Sequence, residues 1–69
     1  MPSTVIRSFS YIPEAETLEI VFVSGTVYHY RKVPVTIYEE MKDSFSKGIF
    51  FNENIKDKYE FERIETNKN

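Results

Sequence analysis

Residues 5–11 read Val-Ile-Arg-Ser-Phe-Ser-Tyr, large β-branched or aromatic side chains spaced by small polar ones, which predicts a first strand. Pro13, within Ile12-Pro13-Glu14-Ala15-Glu16, cannot continue a strand ladder, so this stretch is read as a turn. Residues 17–22 (Thr-Leu-Glu-Ile-Val-Phe) and 26–31 (Thr-Val-Tyr-His-Tyr-Arg) form a hairpin around Ser24-Gly25. Its register matters, because a one-residue slip exchanges the two faces of a strand. A two-residue loop would pair Phe22 with Val27 and put Tyr28 and Tyr30 beside Glu19, Val21 and Val23. A three-residue loop, Val23-Ser24-Gly25, pairs Phe22 with Thr26, Ile20 with Tyr28 and Leu18 with Tyr30, and needs Gly25 in the left-handed conformation. The second is preferred, because it gathers Leu18, Ile20, Phe22, Tyr28 and Tyr30 on one face and leaves Glu19, Val21, Val27, His29 and Arg31 on the other.

Helical spacing takes over after Val33-Pro34. Pro34 suits the first turn of a helix, where its missing N–H would be unpaired anyway, and Thr36-Ile37-Tyr38-Glu39 fits a capping box, so the start is set to within about two residues. Ile37, Tyr38, Met41 and Phe45 make one apolar stripe, with Glu39, Glu40, Lys42 and Asp43 opposite, which predicts a main helix ending at Lys47-Gly48. Asn52 is expected to cap a short second helix over 53–58 with Ile55 and Tyr59 inward. Residues 60–64 alternate as a short edge strand would, and 65–69 are expected to fray. The resulting expectation is one α+β domain over residues 3–64. It is a three- to four-stranded antiparallel β-meander packed on one face by one main helix and a second short helix.

Composition narrows the chemistry. The 69 residues include no cysteine, which excludes disulfides, zinc knuckles, iron–sulfur sites and a thiolate nucleophile, and is consistent with an expected cytoplasmic location. Met1-Pro2-Ser3-Thr4 is not a basic stretch before an apolar run, and the longest apolar runs are residues 20–23 and 49–51, so neither signal peptide nor membrane span is expected. His29 is the only histidine, leaving Glu19 as its nearest candidate co-ligand, and neither metal nor cofactor is expected. Ser44 and Lys47 match a Ser-x-x-Lys pattern without the further motifs of acyl enzymes. Glu39 and Glu40 diverge by about 100° on a helix, Glu60 and Glu62 share one strand face, and Gly25 and Gly48, the two glycines, make no phosphate-cradling loop. No catalytic site is expected.

Aromatic content stands out, with five tyrosines and six phenylalanines beside a single leucine. Rings on a sheet can stack nucleobases, but a chain with so little leucine also needs aromatics to fill its core, and Tyr28 and Tyr30 are read as core on that ground. The net charge of −2 argues against non-specific binding to polyanions, so a nucleic-acid role would need a local basic patch. Arg7, His29, Arg31 and Lys32 are the candidates, expected together at one end of the sheet. Lys47, Lys56, Lys58 and Arg63 in the second half are interleaved with Glu53, Asp57, Glu60, Glu62 and Glu65.

Tyr11, then Leu18-x-Ile20-x-Phe22-x-x-Gly25-x-x-Tyr28-x-Tyr30-x-x-Val33-Pro34, then Tyr38, then Ser46-x-Gly48-x-Phe50-Phe51-Asn52-x-x-Ile55-x-x-Tyr59 together resemble the KTSC domain, from about Ser3 to Ile64. The resemblance implies a domain found at the C-terminus of some lysyl-tRNA synthetases and as stand-alone bacterial proteins of this size. It implies no catalytic residues; Gly25, Tyr28, Tyr30 and Pro34 belong to its motif and are read as structural. Ile12 stands where relatives often place an aspartate after Tyr11. The expected function is therefore a small non-catalytic binding module for RNA or tRNA, using Arg7, His29, Arg31 and Lys32. The alternative is a protein-interaction module or homodimer, formed through the open face around Val21 and Val27 or through an edge strand.

Overall fold

The computed structural model describes residues 6–64. The chain runs β1 (Ile6–Ile12), a 3-10 turn (Pro13–Ala15), β2 (Thr17–Phe22), β3 (Val27–Tyr30), α1 (Val35–Asp43), α2 (Lys47–Asn54) and β4 (Phe61–Ile64). The four strands form one antiparallel sheet in sequential order, β1-β2-β3-β4. Ile12 closes β1 rather than opening the turn, and residues 65–69 lie outside the described residues.

The hairpin adopts the three-residue loop. The Phe22 N–H donates to the Thr26 carbonyl at 2.9 Å and the Gly25 N–H donates to the Phe22 carbonyl at 2.8 Å, while Ile20 faces Tyr28 and Leu18 faces Tyr30. Gly25 sits at φ +97, and a Cβ placed there would meet nothing within 4 Å. Backbone strain alone therefore opposes a side chain at this position. Gly25→Ala should lower stability by roughly 1 kcal/mol in a urea titration, whereas Ser24→Ala should be nearly neutral.

One face of the sheet is buried. Leu18, Ile20 and Phe22 of β2 and Tyr30 of β3 join Val33, Met41, Phe51 and Ile55 in the core. Phe9 and Tyr11 pack against it from β1, where Tyr38 of α1 stacks on Tyr11 (centroids 5.3 Å apart) and meets Phe9 edge-on at 5.8 Å. Phe51 of α2 meets both Phe22 and Tyr30 edge-on at 5.5 Å. So α1 covers the β1 side of the sheet and α2 covers its centre. The Tyr11 hydroxyl donates to the Val33 carbonyl at 2.6 Å, and the Val33 N–H donates to the Glu16 carbonyl at 2.9 Å. These bonds tie the segment before Pro34 to the first turn and fix where α1 begins.

The helical region departs from expectation. The main helix stops at Asp43 instead of Lys47-Gly48, because both the N–H and the hydroxyl of Ser44 bond to the Met41 carbonyl (3.1 and 2.8 Å) and Ser44 turns extended at ψ 149. Ser46 then caps α2 by accepting the Ile49 N–H at 3.3 Å. Phe45, expected inward, lies in the extended link between the two serines and is fully exposed. Gly48 and Asn52 are inside α2 rather than at its boundaries, and the expected helix over 53–58 is instead the end of α2 followed by turns. Ile55 is nonetheless buried, and Tyr59 packs on the core as expected.

Candidate functional site

Four residues stand in register across the open face of the sheet: Ser10, Glu19, His29 and Glu62. Glu19 accepts a hydrogen bond from the Ser10 hydroxyl at 3.2 Å and lies 3.0 Å from His29 Nε2. Arg31 pairs with Glu62. Acidic side chains of the same sheet thus engage two of the four candidate residues. Arg7 occupies a bulge in β1 opposite Val21 and Phe22. Arg31 follows Tyr30, whose partner is Leu18 at the far end of β2, so Arg7 and Arg31 are roughly 15 Å apart by strand geometry. Lys32 is exposed in a left-handed turn at φ 58. The four residues therefore do not form one patch. Beside the polar row, Val21, Val27 and Ile64 make a short, half-buried apolar row.

Chemistry stays sparse across the rest of the described residues. No group of three or more His, Cys, Asp or Glu among them could hold a metal ion. The Ser44 hydroxyl and the Lys47 ammonium bond to main-chain carbonyls, Lys47 reaching those of Lys42 (3.2 Å) and Ser44 (2.8 Å), so this pair serves the helix junction. No helix among the described residues is long and apolar enough to cross a membrane.

A concavity opens on the helix-bearing face. Next to the end of α2 the sheet leaves a cleft of about 360 Å³. Its wall is aromatic: Phe22, Tyr28, Tyr30, Phe51 and Phe61. Phe61 pairs in register with Tyr30 and meets Tyr28 edge-on at 5.2 Å, yet 57% of its surface remains exposed. Tyr28 is half-buried, so the core reading holds for Tyr30 and only in part for Tyr28. Lys56 and Asp57 form one rim and Ser24 and Thr26 the other. Asp57 takes a left-handed conformation at φ 67, in the turn that follows α2. No ion pair engages Lys56, Lys58 or Arg63 among the described residues.

Burial raises the Tyr30 phenol to about 12, with the nearby Tyr28 and the Asp57 carboxylate adding to the shift. Asp57 is therefore close enough to the cleft floor for its charge to be felt there. The Tyr11 phenol is raised as well, by loss of solvent first and by Glu16 second. The cleft was hidden from sequence reasoning, which placed Phe61 in an edge strand and Lys56 and Asp57 in a helix. The signal that could have found it is the β3–β4 pairing, which sets Phe61 beside the Tyr-x-Tyr of β3.

Four sequential antiparallel strands under two short helices, with one aromatic cleft beyond the second helix, define a small α+β domain of a recurring kind. The chain belongs to the KTSC domain family, which residues 2–59 match. The crystal structure of a KTSC domain protein from Yersinia pestis superposes with a TM-score of 0.85 at 34% identity, covering 93% of this chain and 90% of that one. A lysine–tRNA ligase from Nostoc punctiforme is 46% identical over 61 residues, which is 88% of this chain and 11% of the ligase. An uncharacterized protein of Stutzerimonas stutzeri is 35% identical over 66 residues, 93% of its length. This chain thus spans about a tenth of the ligases it matches and nearly all of other relatives.

Proposed function

We propose that this domain is a non-catalytic RNA-binding module and that it meets RNA through the aromatic cleft, not through the open sheet face. The observation that carries the reading is the half-exposed Phe61 beside Tyr28, with Lys56 at the rim. Rings of this kind stack unpaired bases, and nearby cations meet phosphates. The open face is the weaker candidate, since His29 and Arg31 already face Glu19 and Glu62 and Arg7 stands apart. The occurrence of a similar segment within lysine–tRNA ligases supports an RNA context. A chain of net charge −2 would neutralise only two or three phosphates, so binding would be weak and its salt dependence shallow.

An NMR titration with short single-stranded RNA and with tRNA at low salt tests this. Shifts at Tyr28, Phe61 and Lys56 that fade as salt is added are expected. No shifts at millimolar RNA would remove RNA from consideration. Concentration-dependent broadening at Val21, Val27 and Ile64 would then put self-association through the open face in its place.

A further inference from the structure

We infer that the cleft takes one unstacked guanine base, with a face of the base on Phe61 and its Watson–Crick edge read by Lys56 and Asp57. The inference rests on the RNA reading above and names the base that the site selects. The rim places a cation and a carboxylate side by side in the chain, and both line the same 360 Å³ cavity. An ammonium only donates hydrogen bonds, and an ionised carboxylate only accepts them, through two oxygens. The rim therefore offers one donor next to two acceptors.

Guanine presents the complement: the O6 acceptor, then the N1–H and N2–H donors in a row. No other standard base does. Adenine sets its N6 amine beside an acceptor nitrogen, cytosine does the same with its N4 amine, and uracil has a single N–H between two carbonyls. Each of these would turn an acceptor toward the Asp57 carboxylate or leave one of its oxygens without a donor. Such mismatches discriminate strongly, because a desolvated polar group left unpaired is costly. Lys56 and Asp57 are themselves exposed, so the base that fills the cleft is what takes their contacts out of water, with the rings of Tyr28, Tyr30 and Phe61 supplying the apolar side.

The test uses the full chain and two hexaribonucleotides, five uridines with one central guanosine and five uridines with one central adenosine. Affinities are measured by NMR titration or calorimetry. The guanosine oligomer should bind about tenfold more tightly, the range expected of one good bidentate contact. Asp57→Asn should abolish that preference. Asparagine tolerates the left-handed conformation at this position, so the variant should melt at the temperature of the parent. Equal affinity of the parent for both oligomers, or a preference that survives Asp57→Asn, overturns the guanine inference and leaves the RNA reading standing. Failure of both oligomers and of tRNA to bind overturns the RNA reading, and the guanine inference falls with it.

Discussion

Phe51→Ala is expected to cost about 3–5 kcal/mol, the range for truncating a buried phenylalanine. Phe51 is 2% exposed and meets Phe22 and Tyr30, so its loss opens a cavity where α2 joins the sheet. A chain of 69 residues has only roughly 3–10 kcal/mol of stability in total, at the usual stability per residue. The variant should therefore be largely unfolded or unfold at a much lower urea concentration. Phe45→Ala removes a ring of the same size from the exposed link between the helices, and should leave the midpoint unchanged. Urea denaturation followed by circular dichroism compares the two. Similar midpoints for both variants would mean that α2 does not hold the core as described.

Local chemistry made the hairpin legible and the helix break illegible. In the hairpin, one glycine and strict alternation on both strands point to the same register, so Leu18, Ile20, Tyr28 and Tyr30 fall on one face by periodicity alone. In the helical region Phe45 follows Met41 by four residues, which fits one continuous stripe as well as it fits a stripe that ends at Met41. The deciding groups are the hydroxyls of Ser44 and Ser46, one bonding back to a carbonyl and the other capping the next helix. Serine side chains compete with the helix backbone in this way, but residue type alone does not say which serine will. Gly48 misled for a related reason, since it lies early in α2, where a terminating glycine was expected.

The cleft was illegible for a different reason. Its wall comes from β2, β3, α2 and β4, and the ring that matters most for ligand access, Phe61, reaches Tyr28 and Tyr30 only because two helices carry the chain back to the sheet edge. No local pattern encodes that return. The basic candidates failed to gather for the converse reason: Arg7 lies at the start of β1 and Arg31 just past the end of β3, at opposite ends of the β2 strand that separates them, a consequence of register and not of residue type.

Phe61→Ala should separate binding from folding. Phe61 lies on the edge strand, 57% exposed, so removing its ring should change stability by no more than about 1 kcal/mol, near the middle of the range for ordinary substitutions. Base stacking on an aromatic ring is worth about 1–3 kcal/mol per base, so RNA affinity should fall by roughly 5- to 150-fold. Replacing Arg31 and Lys32 together by serine is the control, because Arg31 already faces Glu62 and Lys32 stands in an exposed turn. That double variant should lose only a few-fold in affinity at low salt, in line with the removal of distant charge. The reverse order of effects, with Phe61→Ala binding normally and the double variant silent, would return the RNA site to the open sheet face and leave the aromatic cleft a feature of packing alone.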